Sequence, residues 1–561
     1  MRPTSSRRLR CSGCGKARLG EEYSQGQRFA VAEERLCIDC EQQAQSPPSR
    51  EPSAQQRHTP VADSGHRRSV SFDESPPEKV APPPQHVLAG APQPRILIIG
   101  GGPTGLGAAL RLTDLGHTNW KLVDPEPAGG LARSFVDDKG FTWDIGGHVI
   151  FSHYSYFDDA MDYSTEDWLH HQRESWVWCR DVWVPYPFQN NIHRLPAEAK
   201  AKCLSGLVDV HRQTWSTKPA NFDEYFSRQF GDGIAELFMR PYNFKVWAVP
   251  PRMMSTEWMG ERVATVDLKR VCNNICMNTD DLGWGPNATF RFPLEGGTGG
   301  IWTRLAKKLP QANLDCGYQG RRVVYVNAAE KTVEFQDGSV ESYDYLLSTM
   351  PFDDLIRLTE GNFDSSSWPS IADNMVYSAT NVIGIGIKGS PPPHLKTMCW
   401  MYFPEDTSPF YRATVFSNYS PKNAPAGHWS LMLEVSESAH KPVDQATLMA
   451  ECVKGCIASN LITAKDVIVS KWHKRFHKGY PTPFVGRNEL LMRVQPTLKE
   501  NGIYSRGRFG GWKYEVANQD HSMMQGVEAV EDMLGVGQEI TYWEPNTVNA
   551  TKNTDRRLGL K

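Results

Sequence analysis

Long apolar runs are missing from this chain. Nowhere do about 18 apolar residues follow one another, so no membrane-spanning helix is predicted. The first residues, Met1 to Arg8, are basic without an apolar centre, which argues against a secretory leader and predicts a cytoplasmic protein. Cysteine is sparse, 12 in 561 residues, too few for a disulfide scaffold at this length. A dominant charge is lacking too. With a net charge of −3 the chain has no overall attraction to nucleic acid or to anionic lipid, and neither partner is expected. What remains is a globular composition, 40% hydrophobic and 22% charged, in a length that allows roughly three or four domains.

Four of the cysteines form two paired knuckles, Cys11-x-x-Cys14 and Cys37-x-x-Cys40. Each pair can turn two thiolates toward one centre, which is what a tetrahedral Zn²⁺ requires. Residues 1–41 therefore read as a short four-cysteine, zinc-knuckle-like module, too small to fold on an apolar core alone. A redox CxxC is the alternative, but it lacks a surrounding βαβ pattern. The module mixes acids with its bases, so a protein partner is expected rather than nucleic acid. Residues 42–94 are rich in Pro, Ser and Gln and read as a disordered linker that cannot offset its ordering entropy by burial.

The stretch that organises the chain runs from Arg95 to His148. Ile96-Leu97-Ile98-Ile99 predicts a strand, Gly100-Gly101-Gly102-Pro103-Thr104-Gly105 a tight turn, and Leu106 to Leu115 a helix. Lys121-Leu122-Val123 is a second strand, ending on Asp124. This order is a dinucleotide fingerprint. Gly100 permits the turn, Gly102 lets the backbone approach a pyrophosphate, and Gly105 lets helix and strand pack closely. The helix start at Thr104 offers free N–H groups and a positive dipole end to phosphates. Asp124 falls where an acid meets a ribose 2′-hydroxyl. Two further glycine pairs follow, in Gly129-Gly130-Leu131 and Gly146-Gly147-His148. A simple nicotinamide domain has no use for them, whereas a flavin lying across the backbone does. The predicted cofactor is FAD.

The remaining chain suggests an α/β protein with a discontinuous Rossmann-like FAD-binding domain. Its pieces are expected at 95–192, 285–350 and 501–545. A helical domain is inserted at 193–284, a mixed β-sheet domain occupies 351–500, and 546–561 is a tail. Strands are expected at Arg322–Val326 and Thr332–Phe335, with Tyr345–Ser348 as the return strand. The last helix, from about Ser522 to Leu534, is expected to point its N-terminus at the flavin, where its dipole would stabilise an anionic reduced ring.

From about Arg95 to Arg557 the chain resembles the eukaryotic UDP-galactopyranose mutases. The likeness rests on long runs: Gly146 to Phe157, Val184 to Ile192, Phe238 to Pro250, Gly285 to Trp302, Cys399 to Ser420, Gly479 to Pro483 and Ser505 to Ser522. It implies an isomerase of galactofuranose biosynthesis that interconverts UDP-galactopyranose and UDP-galactofuranose. In that chemistry NADPH reduces the flavin, whose N5 then attacks the anomeric carbon as UDP leaves. His148 is implied as the flavin-contacting histidine, and Arg240 and Arg412 as the cations for the pyrophosphate. Tyr402, Tyr480 and Tyr514 would donate to the same phosphates, and Phe151 and Trp400 would wall the galactose. Uridine recognition falls to Phe188, Gln189 and Asn221 with Tyr186 nearby, and NADPH contacts to Arg173, Ser175 and Arg508. Flavin contacts extend to Gly130, Leu131, Gly147, Gly510, Asn518, Gln519 and Ser522.

Three departures stand out. Tyr225 replaces a tryptophan expected to stack on uracil, Asp267 replaces an asparagine of a mobile loop expected to contact the substrate or NADPH, and Trp176 replaces a tyrosine. Two other readings remain: a flavin amine oxidase-like oxidoreductase, and a catalytically silent scaffold carrying the zinc module.

Overall fold

The computed structural model describes residues 93–560, apart from 283, 284, 286 and 287, together with a short antiparallel pair, Arg8–Arg10 against Ala17–Leu19. The chain divides into 1–78 and 79–561, and the fold belongs to the second unit. The four cysteines expected to bind zinc, and nearly all of the expected linker, lie outside the described residues.

Ile96–Ile99 is the middle strand of a five-stranded parallel sheet. Across the sheet the order is Leu314–Cys316, Trp120–Asp124, Ile96–Ile99, Tyr345–Ser348, Ile503–Ser505. A strand with four successive apolar residues belongs where both faces are covered, and here both are. Ile96 and Ile98 share a core with Leu106 and Leu110 of the helix Pro103–Asp114 and with Met523 and Val527 of the helix Gln519–Met533. Leu97 and Ile99 pack on the opposite side with Val326, Val333 and Phe335, which belong to a smaller sheet of Val340–Ser342, Thr332–Phe335, Val323–Asn327 and Thr359–Glu360. The two helices touch through glycine: a Cβ on Gly526 would lie 1.9 Å from the carbonyl oxygen of Thr104.

The expected return strand is placed differently. Tyr345–Ser348 does not fold back on Thr332–Phe335 but pairs in parallel with Ile96–Ile99, because Leu346 and Leu347 point to opposite faces and both need burial. Val340–Ser342 is the strand that pairs back onto Thr332–Phe335.

A second large sheet has seven strands, in the order Ile468–Pro481, Tyr377–Lys388, His428–Glu437, Arg412–Val415, Trp400–Tyr402, Ser175–Cys179, Val182–Pro185. Its last two strands come from within 95–192, so this sheet reaches beyond the expected 351–500. They form a hairpin closed by Arg180 and Asp181, both left-handed at φ +55° and +58°, the conformation of a tight two-residue turn. Ser175–Cys179 then joins Trp400–Tyr402 in parallel.

The inserted helices are Ala197–His211, Phe222–Ile234, Arg240–Trp247 and Leu268–Met277. Ala235–Met239, immediately before Arg240, is a π-helical turn, a feature that concentrates at functional positions. No helix among the described residues is long and apolar enough to cross a membrane.

Candidate functional site

The carboxyl ends of the parallel strands, the large sheet and the inserted helices open onto one cleft of about 740 Å³. Its dinucleotide end is built from the glycine turn. Gly100 is left-handed at φ +107°, and a Cβ there would sit 1.9 Å from Thr349 Oγ1. A Cβ on Gly130 would lie only 2.9 Å from Gly102 Cα, so two bare backbones face each other across the floor. No side chain caps the helix Pro103–Asp114, which leaves its first N–H groups for an anion. Asp124 Oδ2 accepts from the Gly101 N–H at 2.6 Å, and burial pushes its carboxyl above the usual range. Gly105 does not line the cleft: a Cβ there would be 1.9 Å from the Gly100 carbonyl oxygen, so its part is helix–strand packing. Asn518, Gln519 and Ser522, at the start of Gln519–Met533, line the same floor. These bare backbones, free N–H groups and one acid fit the pyrophosphate and ribose of FAD.

Beyond the floor stands the loop Gly146-Gly147-His148. A Cβ on Gly147 would lie 2.6 Å from Trp400 Nε1, so glycine is what lets the indole close over the loop. Neither Trp400 Nε1 nor His148 Nδ1 has a hydrogen-bond partner among the described residues. The loop is pinned by Glu434, whose Oε1 accepts from the Gly147 N–H at 3.0 Å. The same carboxylate takes a fork from Arg412, Nε to Oε1 and Nη2 to Oε2, both 2.7 Å, and accepts from the Tyr411 hydroxyl at 2.7 Å. Its pKa is lowered despite the cost of burial, because the Arg412 charge and these donors favour the anion. Glu434 was not anticipated from the sequence.

Four guanidinium side chains among the described residues line the cleft: Arg173, Arg262, Arg412 and Arg508. Arg508 donates to the Gly479 carbonyl at 3.1 and 3.2 Å and lies over the rings of Tyr480 and Tyr514. Burial raises the phenol pKa of Tyr402 and Tyr480, so both stay protonated as donors. Tyr186, Gln189, Phe151, Trp400 and Tyr514 also line the cleft, as do Leu131, Gly147 and Asp124. Gln189 Nε2 donates to the Ala264 carbonyl at 2.5 Å, and its Oε1 has no partner among the described residues.

Other expected residues stand outside the lining. Arg240 donates to Asp223 Oδ1 at 2.7 Å and Ser227 Oγ at 2.6 Å, tied back to the helix Phe222–Ile234. Asn221 is the N-cap of that helix, its side chain accepting from the Glu224 N–H at 3.0 Å. Tyr225 lies behind Phe222, its ring 6.1 Å away and nearly parallel, and Phe222 is the ring that reaches the cleft. Phe188 is fully buried and stacks at 4.6 Å on Phe238, which lines the cleft in its place. Ser175 is buried in register with Trp400, and Gly510 serves the turn whose carbonyl accepts from Ser505 Oγ at 2.9 Å. Asp267 caps the helix Leu268–Met277, accepting from the Arg270 N–H at 2.8 Å. In each case helix phase, strand register or capping chemistry decides the direction of the side chain.

Burial lowers the His148 pKa to about 4, with Arg508 and Arg412 adding repulsion and Glu434 opposing it, so the ring is neutral near pH 7. The unfolded chain, with its imidazole near 6.5, binds more protons than the native state between these values. Stability is therefore lost as pH falls from about 6.5 toward 4. Melting curves across that window should fall less steeply for His148→Asn than for the parent. Equal slopes would contradict a neutral, desolvated ring.

A family model of flavin-containing amine oxidoreductases matches residues 103–534. A UDP-galactopyranose mutase, crystallised in its reduced state, is 61% identical, with 84% of this chain and 100% of that one covered at a TM-score of 0.83. A putrescine oxidase and a fatty acid isomerase from P. acnes, each 13% identical, superpose over 79% and 78% of this chain and 99% and 98% of theirs, at TM-scores of 0.54 and 0.53, and share the fold alone. The chain belongs to the flavin-containing amine oxidoreductases and, among them, to the UDP-galactopyranose mutases, with FAD as the cofactor its glycine floor fits.

Proposed function

We propose that this enzyme interconverts UDP-galactopyranose and UDP-galactofuranose. One observation carries the reading: the flavin floor is continuous with a cleft whose clamped Arg412, Arg508 and protonated tyrosines suit a leaving pyrophosphate. When bound and reduced, the isoalloxazine ring supplies the nucleophile for the anomeric carbon. UDP would leave with the bonding pair, the C1–O5 bond would open as O5 gains a proton, the 4-hydroxyl oxygen would close on C1 as it loses one, and UDP would return to C1 as the nucleophile departs with its own pair. No net oxidation occurs.

Arg412, its Nε–Nη2 edge held by Glu434, presents its outer Nη1–Nη2 edge to the phosphates, with Tyr402, Tyr480 and Tyr514 donating beside it. Arg240 joins them by exchanging Asp223 for phosphate when the nucleotide arrives. Neutral His148, with Nδ1 unpartnered among the described residues, handles the proton on the flavin side. Trp400 and Phe151 close over the sugar and keep water from the reacting carbon. Phe222, Phe238 and the free Oε1 of Gln189 form the uracil end, with Tyr186 beside them, and Phe188, Tyr225 and Asn221 support them from behind. NADPH is the reductant, held by Arg173 and Arg508 with Ser175 behind them. The four N-terminal cysteines bind one Zn²⁺, on spacing alone, in a module that recruits a protein partner.

Anaerobic reduction of the purified protein with NADPH, followed by UDP-galactofuranose, should yield UDP-galactopyranose with no further NADPH consumed. Substrate-dependent NADPH consumption without isomerisation would place the enzyme among the oxidoreductases instead. Metal analysis should find about one zinc per chain, and chelation should leave isomerisation intact. A metal-free protein would remove the zinc proposal.

A further inference from the structure

Of the cleft arginines, Arg262 is placed unlike Arg412 and Arg508. Arg412 is forked onto Glu434, and Arg508 is bonded to the carbonyls of Gly479 and Ala517. Arg262 Nη1 and Nη2 are both shut away from solvent, and neither has a hydrogen-bond partner among the described residues. The nearby acids each have another partner. Glu515 is forked onto Arg487 at 2.6 and 2.9 Å, Glu257 accepts from Asn488 at 2.6 Å, and Asp520 pairs with His153 at 2.8 Å. A desolvated guanidinium without an acceptor is costly, and such groups persist where a ligand supplies what the protein withholds.

Two spaces adjoin Arg262. One is a small cavity of about 140 Å³ lined by Glu257, Glu515 and Asn549. Two carboxylates there repel an anion, so that side suits water. The other is the main cleft, where the guanidinium carbon lies 5.9 Å from the centre of the Tyr514 ring, with Arg508 5.6 Å from the same ring. A phosphate accepting from the Tyr514 hydroxyl would lie near two cations: Arg508, bonded to carbonyls, and Arg262, whose buried Nη1 and Nη2 would reach it by a turn of the side chain. The chain just after Arg262 is fixed to the nucleotide end by the bond from Gln189 to Ala264.

We propose that Arg262 is a phosphate-binding residue of this cleft, pairing with a phosphoryl oxygen of the bound nucleotide beside Tyr514. The identity of that nucleotide rests on the mutase reading. Its source is UDP or the NADPH phosphates, and the two are separable.

The test uses FAD-loaded wild type, R262Q and R262K, with binding of UDP, NADP⁺ and uridine measured for each. R262Q should bind UDP about tenfold more weakly or worse, with uridine changed less than about twofold and R262K intermediate, as loss of a charge-assisted fork requires. The same loss for NADP⁺ and not UDP would assign the phosphate to the reductant and still support the residue's role. Unchanged affinity for both in folded, FAD-loaded R262Q would overturn the proposal. So would loss of FAD or of a cooperative melt in both variants, which would make Arg262 structural. A wild type that isomerises while R262Q binds normally leaves the mutase reading standing. A wild type that binds no UDP refutes that reading, whatever R262Q does with NADP⁺.

Discussion

The buried pairing of Glu434 with Arg412 is the interaction on which the reactive end of this fold depends. A carboxylate only 1% exposed is tolerable when charge and donors surround it, and here one guanidinium, one phenol and one backbone N–H do so. The pairing is a consequence of sheet register, since Arg412 and Glu434 are direct cross-strand neighbours of Arg412–Val415 and His428–Glu437. A one-residue slip of either strand would turn its member of the pair to the other face. Breaking such a buried pair by removing one partner typically costs about 3–5 kcal/mol. Glu434 thus serves two ends at once: it fixes the guanidinium of Arg412 at the cleft wall, and it holds the glycine loop that carries His148.

Around that pair the architecture is one of convergence. Gly100 follows the first parallel strand, Asp124 ends the second, Thr349 follows Tyr345–Ser348, and Arg508 lies just past Ile503–Ser505. Ligands of open parallel sheets sit beyond the carboxyl ends of strands, and four of the five strands here end in cleft residues or lead straight into them. The helices Pro103–Asp114 and Gln519–Met533, packed at Gly526, both start at the cleft floor, so two positive dipole ends face the same space. The large sheet brings cations and phenols, and the inserted helices bring aromatic rings. Each element supplies a different physical term.

Much of this was legible in the residues. Glycine is dictated at Gly100 by its left-handed backbone and at Gly105 by clearance from the Gly100 carbonyl; the spacing from that turn to Asp124 carried the dinucleotide site, and the further glycine pairs carried the flavin. The long motif runs carried the family. Less legible was direction. Arg240, Asn221, Tyr225 and Phe188 belong to the right helices and turns but face a carboxylate, a helix end or a neighbouring ring, because phase and capping decide such matters within one residue. The neighbours that do reach the cleft, Phe222 and Phe238, are one to three residues or one stacked ring away from those expected. Glu434 was hidden because its meaning comes only from a cross-strand partner more than twenty residues earlier. The pairing of Tyr345–Ser348 was equally hidden, because hairpin order and parallel pairing look alike in a short apolar run.

The most direct test of the account is a double-mutant cycle between Glu434 and Arg412, using Glu434→Gln and Arg412→Lys and following kcat/KM for UDP-galactofuranose with the FAD-loaded enzyme. If the carboxylate acts by aiming that guanidinium, each single change should cost about tenfold or more, and the double variant should be little worse than the poorer single one. Losses that simply multiply would show the two residues working independently, and would contradict the arrangement described here.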